Sequence, residues 1–252
     1  MRMTVRGAYG FRWSGLEAST WLDVGEALHW PEISCKRDDR PDAPELSFDA
    51  HALELRVRAD IAHSELVHPL LGRAASQVAL ARGGDAIHAG AIATRAGGAW
   101  AVIGPKGAGK STLLAGLNDI GVPIVTDDVL VLRDGTAMAG PRCIDLRPDA
   151  PHFGLGVAVR PSDPRNRIGL RPVAAEHHLA GVIHLEWSSA ETTIEPLDHR
   201  EAIRRLLVLR SDKGYPRSPR VLLDLALLPT VLLKRPRLMS RLDAAVVQVE
   251  RL

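Results

Sequence analysis

Eight consecutive residues, Gly104, Pro105, Lys106, Gly107, Ala108, Gly109, Lys110 and Ser111, fill the pattern G-x-x-x-x-G-K-S, with Thr112 next in line. The chemistry such a run can do is anion binding. Phosphate oxygens must reach backbone N–H groups, and glycines at 104, 107 and 109 leave that approach uncovered. A helix opening near Lys110 aims its partial positive end at the anion, Lys110 reaches the outer phosphates, and the Ser111 hydroxyl is a magnesium ligand. The motif predicts binding of a nucleoside triphosphate; a chance glycine-rich turn is the other explanation of the same residues. A second group stands at Thr126-Asp127-Asp128. Two adjacent carboxylates at the end of a strand allow a division of labour, one serving magnesium and the other accepting a proton from an attacking hydroxyl. An aspartate pair also opens many ordinary turns.

These groups need elements to position them. The apolar run Trp100 to Ile103 reads as a strand feeding the loop, and Thr112-Leu-Leu-Ala-Gly-Leu117 as the helix leaving it. His88-Ala-Gly-Ala-Ile-Ala93, a turn at Gly97-Gly98 and Ala99 to Ile103 make a hairpin. Val122 to Thr126 is a strand ending at the carboxylates, and Val129 to Leu132 another, followed by a hairpin turn at Asp134-Gly135. Gly181 to Trp187 reads as a strand. Short alternating runs before Ala62 suggest a small β-rich portion, and His63 to Ala81 carries helical periodicity, closed by Gly83-Gly84. Pro148 to Arg165 reads as a long loop. From His199 onward the pattern is mainly helical with proline breaks, and the lipophilic stretch Val221 to Leu233 reads as a core helix or helix pair. The expected organisation is a β-rich N-terminal portion with a helix (1–84), a P-loop core (85–198) and a helical C-terminal tail (199–252).

At 252 residues, 46% hydrophobic and 25% charged, the chain can build a real core. A formal net charge of +2 does not argue for nucleic acid. Basic residues gather late, at Arg200, Arg204, Arg205, Arg210, Lys213, Arg217 and Arg220, then Lys234, Arg235, Arg237 and Arg241. A solvated helical face explains them, with an acidic partner as the alternative. The lipophilic stretch, broken by Asp224 and Pro229, is too short to span a bilayer. The start Met1-Arg-Met-Thr-Val-Arg-Gly7 lacks the apolar run of a signal peptide, and two cysteines without framework spacing, Cys35 and Cys143, suit a reducing compartment. The expectation is a cytoplasmic protein that engages neither membrane nor nucleic acid.

The order His88, glycine loop, Asp127-Asp128 and Ile144-Asp-Leu-Arg147 resembles the C-terminal catalytic domain of HPr kinase/phosphorylase, over roughly residues 85 to 185. That family phosphorylates a serine on a small carrier protein with a P-loop related to that of phosphoenolpyruvate carboxykinases. The resemblance implies an α/β fold of that type, ATP and Mg2+ as cofactors, and a small protein or peptide as acceptor. It implies Asp128 as the proton acceptor and His88 as the histidine near the phosphates. It also implies Asp145 as a magnesium ligand beside Ser111 and Asp127, and Arg167 as the catalytic arginine acting with Lys110. Arg160, Arg165 and Arg171 compete with Arg167 for that place. His88 is otherwise a strand histidine and Arg147 an ion-pair partner, and His177 and His178 read as loop residues without a metal role.

Asp145 stands where the family has Glu, the Gly-Leu-Gly that follows it there is missing, and the family's P-V-x-P-G-R loop is reduced to Pro172 to His177. The implied protein is a divergent stand-alone relative, similar to kinases found beside peptide-modification genes. Family members are homo-oligomers, and the Leu-rich, basic C-terminus leaves self-association open. The leading expectation is an ATP-dependent kinase acting on a hydroxyl, most of all a serine. A non-catalytic nucleotide-binding regulatory or assembly protein and a small-molecule kinase are the alternatives.

Overall fold

Alternation of inward and outward side chains builds the first sheet. In a computed structural model that describes residues 6–15, 29–49, 51–62, 65–150, 153, 156–159, 163–207 and 219–252, five short strands come first. They are β1 (Arg6–Ala8), β2 (Phe11–Ser14), β3 (Glu32–Asp38), β4 (Leu46–Asp49) and β5 (Glu54–Arg58), in the order β1-β2-β3-β5-β4. Ile33 and Cys35 of β3 and Leu55 and Val57 of β5 face the interior. A bent helical segment, Leu66–Leu70, then leads into α1 (Leu71–Ala81), whose Leu71, Ala74, Ala75 and Val78 are buried.

The central layer is a nine-stranded sheet. It contains β6 (Asp85–Ile87), β7 (Ala89–Ala93), β8 (Ala99–Ile103), β9 (Ile124–Thr126), β10 (Leu130–Arg133) and β11 (Thr136–Met138). The sheet is completed further along by β15 (Glu176–Ser188), β16 (Thr193–Pro196) and β17 (Thr230–Pro236). Between them β12 (Cys143–Leu146), β13 (Val157–Val159) and β14 (Arg165–Gly169) form a separate three-stranded sheet. The other helices are α2 (Lys110–Asp119), α3 (His199–Leu206), α4 (Pro219–Leu227) and α5 (Leu242–Glu250). The fold is mixed α/β.

The central sheet separates two apolar cores, and strand pleat decides which residues enter each. Ala101 and Ile103 of β8 face the core shared with α1 and the first sheet, while Val102 faces the one filled by Leu113, Leu114 and Leu117 of α2. Each of those three leucines is fully buried, a gain of about 1.5–3 kcal/mol apiece. The first core takes in residues from Ala8 to Ala226, so the N-terminal sheet and α4 pack on one continuous interior.

Three stretches depart from the expectations. The tail is not wholly helical: Pro229 ends α4 and its loop, and Thr230–Pro236 is a strand parallel to β15. A leucine-rich run has no strand signature by composition alone, but Val231 to Leu233 pack between layers, as fully covered parallel strands do. Within the expected loop from Pro148, Val157–Val159 pairs with β14. His177 and His178 belong to β15, opposite Ala137 and Thr136 of β11, rather than to a loop.

Of the late basic residues, Arg204, Arg205, Arg220 and Lys234 face Glu201, Glu186, Asp224 and Glu195 in ion pairs. Arg210, Lys213 and Arg217 lie outside the described residues, as do residues 1–5 of the N-terminal stretch. Both cysteines are free and buried. Among the described residues no helix is long and apolar enough to cross a membrane.

Candidate nucleotide and phosphoryl-transfer site

Strands β8, β15 and β17 run parallel, so their carboxyl ends meet at one edge, where open α/β sheets bind ligands. Register fixes what stands there. His184 pairs with Ile103, the last residue of β8, so Trp187 on β15 lies alongside the glycine loop. Arg235 of β17 is the register partner of Trp187. Trp187 Nε1 donates to Gly107 O at 3.0 Å, and the Arg235 guanidinium stacks 4.3 Å from the Trp187 ring centroid while Nη2 donates to Gly109 O at 3.4 Å.

The loop itself is shaped by two glycines in the left-handed region, Gly107 at φ +85° and Gly109 at +81°. A Cβ on Gly109 would collide with the Arg235 guanidinium and lie 2.9 Å from Trp187 Cη2. Gly109 is the N-cap of α2 and offers no capping side chain, so the first-turn N–H groups are left for an anion. Lys110 is buried, and its Nζ donates to Gly104 O at 2.8 Å. Burial lowers its pKa, against the opposing pull of Asp127 and Asp128.

The carboxylates arrive from the neighbouring pair. β7 and β9 are antiparallel with Ala91 opposite Thr126, which brings His88, just before β7, against Asp128, just after β9. The two aspartates face different surroundings. Asp127 is 3% exposed and accepts from Ser111 Oγ at 3.1 Å. Burial, then the charge of Asp128, pushes its pKa up to about 6. Asp128 is half-exposed, with His88 Nδ1 at 2.9 Å from its backbone O and 3.3 Å from Oδ1. Burial would raise its pKa, but the His88 hydrogen bond and the charges of His68, His88 and Lys110 hold it below the ordinary value. Its φ of +68°, in a turn closed by Val129 N to Asp127 O at 2.8 Å, lies in the left-handed region, which aspartate adopts more readily than most residues.

These groups line a cavity of about 590 Å³, within the usual range for small-molecule sites. Its far wall is carried by the small sheet: Asp145, Arg147, Asp149, Asp163 and Arg165 line it. Asp145 and Arg167 do not take the separate places expected of them. They are register partners on β12 and β14, and Arg167 Nε and Nη2 each donate to Asp145 at 2.7 Å. Arg167 is 1% exposed and does not line the cavity. The two charges pair with each other, and Asp145 still lines the cavity while Arg167 does not. Of the competing arginines Arg165 lines the cavity, Arg171 does not, and Arg160 lies outside the described residues.

The cleft thus gathers Lys106, Gly107, Gly109, Lys110, Ser111, Thr112, Asp127, Asp128 and His88. Gly104, Pro105 and Ala108 form the loop beneath without lining the cavity. Sequence reasoning missed Trp187, Arg235 and Arg237 as one group, and it missed His68. The signals were a basic cluster, Lys234-Arg-Pro-Arg237, closing an apolar run, and a His-Pro step inside a helical pattern.

Ser111 and Asp127 are hard oxygen donors 3.1 Å apart beside the phosphate loop, which fits magnesium. Among the described residues no group of three or more His, Cys, Asp or Glu is placed to hold a metal. A magnesium ion here would fill its shell with phosphate oxygens and water.

Comparison with protein families and with curated proteins finds no match. Among solved structures, the Hpr(Ser) kinase/phosphatase from Coxiella burnetii is similar at 19% identity, over 66% of this chain and 96% of that chain, with a TM-score of 0.32. So loose a superposition carries no argument about activity, which rests on the residues of this chain.

Proposed function

We propose that this chain is a magnesium- and ATP-dependent kinase that transfers the terminal phosphoryl group to a hydroxyl. The observation that carries the reading is the split between two adjacent carboxylates beside a phosphate loop. Asp127 is buried on Ser111, and Asp128 is half-exposed on His88. Neighbouring acids with different surroundings mark different chemical tasks. A protein that only sensed nucleotide would have no use for the second carboxylate, held open to the cleft.

The roles follow from position. Backbone N–H groups of the loop and the start of α2 hold the phosphates, with Lys110 and Arg235 supplying positive charge. Ser111 and Asp127 would hold magnesium, which supplies charge neutralisation on the outer phosphates. Asp128 accepts the proton of the acceptor hydroxyl, and His88 fixes the turn that presents it. The serine of a small protein or peptide, as the acceptor, is supported by the sequence resemblance alone, and ATP over GTP likewise.

The test is Asp128→Asn, which keeps shape and tolerates the left-handed backbone. With labelled ATP, magnesium and candidate serine peptides, transfer should fall by roughly 10²–10⁴-fold while nucleotide affinity holds. Undiminished transfer would remove Asp128 as the base. Failure of the unaltered protein to phosphorylate any protein, peptide or small-molecule hydroxyl, while still binding nucleotide, would favour the regulatory alternative.

A further inference from the structure

His68 lines the cleft from the N-terminal part of the chain and has no place in the chemistry above. It stands within Leu66–Leu70 but is not helical, with φ −137° and ψ +133°. The cause is in the sequence: a residue preceding proline is driven out of the helical region, and Pro69 follows. The His-Pro step therefore breaks the run of helix just before α1 and sets this one imidazole at the wall of the cleft.

The ring is 4% exposed, yet neither Nδ1 nor Nε2 has a hydrogen-bond partner. Buried polar groups are nearly always partnered, and leaving both nitrogens unpaired is expensive. The Cys143 sulfur lies beside the ring outside hydrogen-bonding geometry, and it is a weak acceptor in any case. Burial opposes a positive charge on the ring, while the carboxylates of Asp145 and Asp128 favour it. Asp127 and Asp128 both feel that charge. His68 therefore lines the same cleft as the carboxylate on the magnesium side and the one on the acceptor side. What passes between those two carboxylates in a phosphoryl transfer is the transferred group.

We infer that His68 is a catalytic residue that donates a ring N–H to an oxygen of the terminal phosphoryl group of the bound nucleoside triphosphate. The inference rests on the kinase reading above and adds a contact from outside the P-loop core. An acceptor-only, oxygen-rich group is the partner that an orphaned ring N–H lacks. Because the contact is to the terminal group, His68 should distinguish triphosphate from diphosphate.

Calorimetry on the full chain tests this with magnesium–ADP and with magnesium and a non-hydrolysable ATP analogue. His68→Ala should weaken the analogue by roughly tenfold or more, the worth of one hydrogen bond to a charged group, and leave ADP unchanged. His68→Gln, which keeps a side-chain N–H, should recover part of the loss. A folded His68→Ala that keeps the full preference for the analogue overturns the assignment, and so does one that weakens both nucleotides equally. If His68→Ala does not fold, the unaltered protein labelled with 15N-histidine decides. One ring pair, missing from the His68→Gln spectrum, should shift with the analogue and not with ADP; no such shift overturns the proposal. Failure of the nucleotide reading itself looks different, since the unaltered protein would then bind neither ligand, as Lys110→Ala is expected to do.

Discussion

Replacing Asp127 by Asn should make the ligand-free protein more stable and the nucleotide-bound protein weaker. Asp127 ionises near 3.8 in an unfolded chain and at about 6 in its buried place beside Asp128. The folded state therefore holds this proton more tightly, so stability falls as pH rises through that interval and is level above it. At about 1.36 kcal/mol per pH unit between the two values, the full penalty is at most about 3 kcal/mol, present at pH 7 and absent below pH 4. Asn lacks the charge and keeps an oxygen for the Ser111 hydroxyl, which Asp127 accepts at 3.1 Å. Urea titrations of both proteins at pH 4, 5, 6 and 7, with chelator present, should give curves that coincide at the acid end. They should separate in favour of Asp127→Asn toward neutrality. Added magnesium and ATP analogue should reverse the order, because ligand stabilises only the form that binds it. A difference that does not change with pH, or a less stable variant at pH 7, would refute the reasoning.

Two further substitutions probe the walls of the cleft. Arg167→Met strands the Asp145 carboxylate, whose side chain is 6% exposed, and should cost about 3–5 kcal/mol by urea denaturation. The double variant Asp145→Leu/Arg167→Met should recover most of that and keep magnesium-dependent nucleotide binding; loss of that binding would return Asp145 to the metal. Arg235 is 1% exposed with Nε and Nη1 unpartnered, and burial lowers its pKa to about 10. Arg235→Met should leave the ligand-free melting temperature unchanged or higher, since an unpaired buried cation is costly, while triphosphate affinity falls by about tenfold or more. An unchanged affinity would take Arg235 out of the phosphate site.

The phosphate loop and the paired aspartates were legible because their chemistry is local. Glycines at fixed spacing and a strand ending in carboxylates are visible within a few residues, and the elements from His88 to Gly135 follow the expected order. The pairing of Asp145 with Arg167 was not legible, because a cross-strand register decides which acid and base meet, and register is not written in either segment. Arg235 was read as surface charge for a similar reason. Its strand owes its existence to β15 and β16 on either side, and the Leu-rich run suits a helix equally well by composition. His68 carried a local signal, the proline after it, but nothing nearby marked the cavity that it lines.

The guanidinium against Gly109 comes from a residue 126 positions further along the chain. The glycine loop is made before β15 and β17, yet the guanidinium that reaches it arrives only after those strands have been laid alongside β8. Closing a loop of that length must precede any reward from the contact, which places the strand alignment among the slow events of folding. On the proposed function, nucleotide affinity would then be a gauge of completion. A nascent chain that has paired β7 with β8 displays the whole G-x-x-x-x-G-K-S motif but lacks the Arg235 clamp. Full-strength binding would then report that the distant strand has docked, separating finished molecules from partly folded ones.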